Sequence, residues 1–257
     1  MNFNKKLKIT NFYKDKDQFY WSEIEKLIKD HNISIKLILQ NYLAFSQRRD
    51  LRQVLAYYEL IKKTINLPGS IAEFGVYLGN GILTFAKLIE TLCPSNGSKV
   101  FGFDNFKGYN QKLSINDKKS SINYIKKIRG GGDFKINYNI VEKLVSLQNL
   151  DQIMPGTDRV KIYKGEFNKT FNEFKIENPG VRFKIISIDL NLYIPTSKVL
   201  NTFYNLMIPG GCILFRGYGV KPWEGESKAV DKFLKDKNIK NLGTFTFSPY
   251  PSLYCVV

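Results

Sequence analysis

The sequence predicts a doubly wound α/β domain on a mainly parallel sheet, with helices ahead of it and an antiparallel C-terminal hairpin closing it. Three observations predict this. A short apolar run, Ile71 to Val76, ends in Gly79-Asn80-Gly81 and leads into Ile82 to Leu92, which has helical periodicity. A second apolar run, Val100 to Phe103, ends in an acid, Asp104. The alternation of strand-like run, turn and helical stretch then continues along the chain, as parallel strands joined by crossover helices require.

The elements follow in order. Residues 1–66 read as an N-terminal helical extension, in which Leu51, Leu55, Tyr58, Leu60 and Ile61 form a rough helical stripe. Arg48, Arg49 and Arg52 beside it are either a solvated face or a basic group reaching the ligand pocket. Leu67-Pro68-Gly69-Ser70 stops the helix, so the main domain is expected over residues 67–257. Residues 109–152 are the least regular stretch. They read as an insertion, with Gly130-Gly131-Gly132 between two helices, that either covers the site or is a plain surface loop. Val160 to Tyr163 is a strand ending at Gly165-Glu166, and Phe183 to Ile188 a buried strand ending at Asp189. Ser197 to Leu206 is a helix that Pro209-Gly210-Gly211 stops. Cys212 to Phe215 is a strand, followed by a loop over Gly217 to Gly225 and a helix through Lys235. Thr244 to Val257 alternates as two antiparallel strands do.

Composition narrows the function classes. No apolar stretch approaches the roughly 18 residues that cross a bilayer, and Met1 to Lys16 has no apolar signal core. The expectation is a cytoplasmic protein without a membrane span. Cys93, Cys212 and Cys255 lie far apart, without metal-ligand spacing, and read as core residues of a reducing compartment. The single histidine, His31, lies in a polar segment, which argues against a histidine dyad or a zinc site. A net charge of +16 suits nucleic acid, an anionic surface or an acidic small substrate. The basic residues are scattered, in clusters as short as Lys118-Lys119 and Lys126-Lys127, which disfavours nucleic acid as the partner.

The chemistry centres on Glu73-Phe74-Gly75-Val76-Tyr77-Leu78-Gly79-Asn80-Gly81. Glycines at a strand end let a ligand approach the backbone, and the following helix presents free N–H groups and a positive dipole end. The phosphate-binding Gly-Lys-Ser/Thr pattern is absent, and the three-glycine dinucleotide pattern fits poorly. About thirty residues on, Asp104 can accept hydrogen bonds from both ribose hydroxyls of a nucleoside, and Phe106 could stack on its base.

These segments, with Phe101 to Gly108, Lys164 to Thr170, Ile188 to Thr196, Pro209-Gly210-Gly211 and Gly225 to Val230, fall in an order that resembles the macrocin O-methyltransferase-like family of class I S-adenosylmethionine (SAM)-dependent enzymes. The resemblance spans roughly residues 50–257. It implies a Rossmann-like class I methyltransferase fold, SAM as methyl donor, and sugar hydroxyls of antibiotics or glycan precursors as acceptors. Carried over by position, Glu73, Gly75, Tyr77 and Gly79 would surround the methionine part of SAM. Asp104, Asn105 and Phe106 would hold ribose and adenine, and Gly165 and Glu166 would line the adenine side.

At the catalytic end this chain departs from the family pattern. The family has Asp-x-Asp-Leu-Tyr and a later pair of acids, which bind a divalent metal and include the proposed base. Here the first stretch reads Asp189-Leu190-Asn191-Leu192-Tyr193 and the later pair Arg216-Gly217. One carboxylate and one amide make a poor magnesium site, so no catalytic metal is expected. Asp189, Asn191 and Arg216 are the candidate catalytic residues, and Asp189 would also border the cofactor. Arg216 either supplies the missing positive charge, pairing with Asp189 or clamping an anionic acceptor, or forms a structural ion pair. Tyr193, Arg216, Tyr218 and Trp223 are the candidate acceptor contacts. The leading expectation is a metal-independent methyltransferase of glycan or secondary metabolism acting on a sugar or other small polar acceptor, anionic acceptors included. A non-catalytic SAM-fold binding protein and a nucleic-acid methyltransferase are the alternatives. A homo-oligomer is left open.

Overall fold

The computed structural model describes residues 9–109, 114–117, 135–154, 156, 158–221 and 223–257. The chain divides into two compact units between Leu51 and Arg52. The first holds α1 (Ile9–Asp30), α2 (Ile35–Gln40), α3 (Tyr42–Phe45) and the start of α4 (Arg48–Thr64). Within it the Tyr20 hydroxyl donates to the carbonyls of Phe45 and Ser46, and Arg49 pairs with Asp17 at 2.6 Å.

The second unit is a seven-stranded sheet in the order β3-β2-β1-β4-β5-β7-β6. Its strands are β1 (Ser70–Phe74), β2 (Val100–Asp104), β3 (Val160–Lys164), β4 (Phe183–Ile188), β5 (Met207–Phe215), β6 (Leu242–Phe245) and β7 (Ser248–Val256). The first five run parallel, and β7 pairs antiparallel with both β5 and β6. Every residue of β4 and all but the first of β1 are buried, as strands covered on both faces must be. The crossover helices are α5 (Asn80–Leu92), α6 (Tyr138–Leu150), α7 (Phe167–Glu177), α8 (Tyr193–Phe203) and α9 (Glu224–Asp236).

Periodicity explains the two cores. On α5 the buried residues Ile82, Phe85, Ala86 and Ile89 recur at three- and four-residue spacing and meet Ile71 and Val100 on one face of the sheet. Tyr57 of α4 stacks on Phe85 at 4.1 Å. The opposite face is aromatic. Phe74 and Phe103 stack at 4.9 Å, and Phe203 of α8 meets Phe74 edge-on at 4.6 Å.

Two expectations are corrected here. The helix placed at Ser197 to Leu206 runs from Tyr193 to Phe203 and ends in a 3-10 turn over Tyr204–Leu206. Pro209-Gly210-Gly211 does not stop a helix but lies inside β5, which begins at Met207. The register against β4 slips between Phe183 and Ile185, where Met207 and Cys212 are the partners, and Gly210 has φ +82°. The proline and glycines thus mark an irregularity within a strand, a position such residues favour. In the irregular middle, Tyr138–Leu150 is a helix whose Val141 reaches the core. Gly130-Gly131-Gly132, Lys118-Lys119 and Lys126-Lys127 lie outside the described residues.

Candidate active site

In an open α/β sheet, ligands bind beyond the carboxyl ends of the strands where the strand order reverses. Here β1 lies between β2 and β4, so the strand order reverses between β1 and β4, and the crevice opens beyond their carboxyl ends. A cleft of about 530 Å³ lies there, lined by Gly75, Val76, Tyr77, Asp104, Asn105, Asp189, Asn191, Arg216, Trp223 and Tyr250 among others. A side cleft of about 200 Å³ adjoins it, lined by Gly165, Glu166, Asn168 and Lys198. Asp104, Asn105, Leu190 and Pro195 border both.

The turn after β1 is strained into shape. Gly75 and Gly79 have φ of +91° and +88°, and Tyr77 between them has +53°. A side chain on Gly75 would run into the Asp189 backbone, so only glycine lets the turns after β1 and β4 lie this close. Tyr77 N–H donates to Asp104 Oδ2 at 3.0 Å and Phe106 N–H to Asp104 Oδ1 at 2.8 Å. Burial raises the Asp104 pKa, and these backbone N–H groups oppose that rise. The carboxylate borders both clefts, where ribose hydroxyls could reach it.

Beneath the turn, Glu73 is fully buried. Its carboxylate fills the space a side chain on Gly81 would need, and Tyr57 Oη donates to its Oε1 at 3.4 Å. Burial pushes the Glu73 pKa up to about 7, against the pull of Arg216. Arg216 Nη1 lies 3.1 Å from Asp189 Oδ2 and 3.6 Å from Glu73 Oε1, and its guanidinium lies over the Tyr250 ring at 5.3 Å. Tyr250 Oη donates to Asp189 Oδ1 at 2.9 Å. Both Asp189 oxygens are therefore engaged, one by a cation.

On the acceptor side, Asn191 stands at φ +64°, and its Nδ2 donates to Tyr109 Oη at 2.6 Å. Tyr109 stacks on Trp223 at 5.7 Å. Non-glycine residues at positive φ cost energy and cluster at functional sites; Tyr77 and Asn191 both line this cleft. Asp117 Oδ1 accepts the N–H of Tyr193 at 2.9 Å, anchoring the described segment 114–117 at the start of α8.

The structure brings together Gly75, Tyr77, Asp104, Asn105, Asp189, Asn191, Arg216 and Trp223 around the main cleft, and Gly165 and Glu166 around the side cleft. Other expected residues lie elsewhere. Glu73 is in the floor, and Gly79 caps α5. Phe106 is only 4% exposed and turned into the core against Tyr138 at 5.1 Å; its φ of +56° swings it away from the cleft, and Asn105 borders the cleft instead. Tyr193 and Tyr218 line neither cleft, and Tyr218 Oη donates to Asp231 at 2.8 Å. Sequence reasoning gave no site role to Tyr57, Tyr109, Asp117, Glu226 and Tyr250. Glu226 lies in the family-like segment Gly225 to Val230, and the others are brought to the site by tertiary packing.

The donor set does not fit a divalent cation. Magnesium wants several oxygen ligands in octahedral array, but Asn191 offers an amide, and the Asp189 carboxylate is paired with a guanidinium that would repel a cation. Among the described residues, no group of three His, Cys, Asp or Glu side chains is arranged to hold a metal ion. The paired clefts with Asp104 at their junction do fit a nucleoside joined to a small polar group.

A parallel sheet ending in an antiparallel hairpin, with a glycine turn and a strand-end acid at its switch point, is the architecture of class I SAM-dependent methyltransferases. The chain belongs to the macrocin O-methyltransferase family, whose model matches residues 42–243, and so is a SAM-dependent O-methyltransferase by family. Among solved structures, the calicheamicin methyltransferase CalS11 is similar at a TM-score of 0.82 and 23% identity, over 94% of this chain and 92% of that one. CalS11 in its apo form, described as a TDP-rhamnose 3'-O-methyltransferase, is similar at 0.75 and 23% identity, over 94% of each chain. The O-methyltransferase NovP is similar at 0.61 and 18% identity, over 79% of this chain and 78% of that one. No curated protein matches the chain.

Proposed function

We propose that this chain methylates a hydroxyl of an uncharged sugar ring seated in the main cleft, without a divalent metal, as a step of secondary metabolism or glycan assembly. The observation that carries this reading is the state of Arg216. Its guanidinium already faces the carboxylates of Asp189 and Glu73 and the Tyr250 ring, so it is not a free clamp for an anion. Among the described residues, the charged residues lining the main cleft are Asp104, Asp189 and Arg216. An acid-leaning cleft favours a cationic cofactor and a neutral acceptor over an anionic one. The description of CalS11 as a TDP-rhamnose 3'-O-methyltransferase supports a sugar-ring hydroxyl, whatever charge the rest of the acceptor carries.

When bound, SAM supplies an electrophilic methyl group on a sulfonium. The chain's own residues hold and orient. Asp104, at the junction of the two clefts, holds the ribose hydroxyls, and the side cleft around Gly165 and Glu166 receives the adenine. The backbone of Gly75 to Tyr77 borders the amino-acid end. Asp189, paired with Arg216 and Tyr250, would take the acceptor hydroxyl's proton on a remaining lone pair. The Tyr109–Trp223 pair offers an aromatic wall to the sugar ring. In-line positioning supplies most of the rate, as it does for bimolecular transfers in general.

Radiolabelled methyl transfer from SAM to a panel of deoxysugar acceptors, nucleotide-linked and aglycone-linked, tests the reading. The expected result is transfer that persists in excess EDTA and falls by about a hundredfold or more in Asp189→Ala, the lower range for losing a general base. Transfer that stops with EDTA and returns with magnesium would overturn the metal-free account.

A further inference from the structure

We infer that Glu226 is a positioning residue for the transfer reaction, a single buried carboxylate that latches together the two turns carrying Asp189 and Arg216. Glu226 is fully buried. Its Oε2 accepts the backbone N–H of Asn191 at 2.6 Å and its Oε1 that of Gly217 at 2.8 Å. Asn191 lies two residues beyond Asp189, and Gly217 directly follows Arg216. One side chain therefore sets the separation of the two backbone segments from which the Asp189–Arg216 pair projects.

Three further observations separate this from ordinary helix capping. Glu226 is the third residue of α9, where a glutamate commonly reaches back to the N–H before its own helix. Here that N–H, of Trp223, is bonded to the Val220 carbonyl at 2.8 Å, and the glutamate reaches outward to two other turns. The helix that holds it is fixed by the buried side chains of Ala229, Val230 and Phe233, so the latch is mounted on a rigid element. The turns are also shaped to receive it. Asn191 is held at φ +64°, and a Cβ on Gly217 would lie 3.0 Å from the Glu226 carboxylate and 2.9 Å from Asn191 Oδ1. The two backbone N–H bonds oppose the burial that pushes the Glu226 pKa up to about 8, and among the described residues no cation contacts this carboxyl group directly.

The inference rests on the proposed reading of this cleft as the methyl-transfer site, so the test separates the two. Glutamine at 226 has one acceptor oxygen and turns its amide donors toward the second N–H, which keeps the size and breaks the latch. In Glu226→Gln the account expects kcat to fall by about a hundredfold, the effect of a misplacement near 1 Å. KM for SAM should stay within about twofold, because Asp104 and the β1 turn are untouched. Gly217→Ala, made separately, should lower kcat in the same way, and the double variant should lose little more than either single one, as coupled sites do. Independently of activity, amide exchange at Asn191 and Gly217, followed by NMR, should be slow in the wild type and accelerate at both positions in Glu226→Gln. Unchanged kcat in Glu226→Gln, or equal exchange at both amides in the two proteins, overturns the latch. Failure of the wild type to bind SAM overturns the reading of the cleft instead.

Discussion

At the scale of single residues, the site is a group of acids around one guanidinium, and burial shifts the protonation of some of them. Glu73 is the clearest case, since its pKa is pushed up to about 7 from an ordinary 4.5 because its charged form is desolvated. Between those values the folded chain binds more protons than the unfolded one, so Glu73 makes stability fall as pH rises through that window, and the cost is complete above it. Glutamine at 73 cannot titrate. Relative to the wild type, Glu73→Gln should therefore gain stability between pH 5 and pH 8. Urea midpoints at the two pH values check this, and a constant difference between the proteins contradicts it. Asp104 and Asp189 were legible in the sequence because each ends an apolar run, which marks a strand's C-terminal edge. Glu226 and Tyr250 were not. A glutamate in a first helical turn reads as a response to the helix dipole, and Tyr250 stands 61 residues from the Asp189 it contacts.

At the scale of elements, glycines decide how closely the turns approach. Gly81, at the start of α5, is open on the side where the Glu73 carboxylate lies. Gly81→Ala would force that carboxylate or the helix to move, at a cost of about 1–3 kcal/mol for overpacking. Thermal unfolding should show a midpoint lowered by several degrees, at roughly 2–4 °C per kcal/mol for a unit this size. Gly97→Ala, where nothing lies within 4 Å, is the control and should be neutral. Equal midpoints for both variants contradict the packing account. Pattern alone found the strands of the sheet and the helix after β1, because runs such as Phe183–Ile188 and the α5 stripe carry distinct periods, but it did not call α7 between β3 and β4. It failed where one residue type serves two structures. Pro209-Gly210-Gly211 reads as a helix stop, yet it lies in an irregular strand. Phe106 reads as a base-stacking residue, yet a positive φ turns it inward to the core.

At the scale of the whole molecule, the account joins an architecture to a charge distribution. The sheet order puts β1 between β2 and β4 and so fixes where ligands bind. The cleft there leans acidic although the chain carries +16. Among the described residues, no helix is long and apolar enough to cross a membrane. Composition suggested an anionic partner because it averages over the whole surface. The proposed neutral sugar acceptor rests instead on the charges that face the ligand among the described residues. The central claim is that the glycine turn after β1 and the Asp104 carboxylate form one adenosyl-binding cleft. Calorimetric titration of SAM into the wild type and Asp104→Ala, both in EDTA, tests it most directly. The account predicts one site per chain in the wild type and binding weakened by about 1–3 kcal/mol in the variant, the cost of losing hydrogen bonds to a charged group. Equal affinity in the two proteins would contradict it.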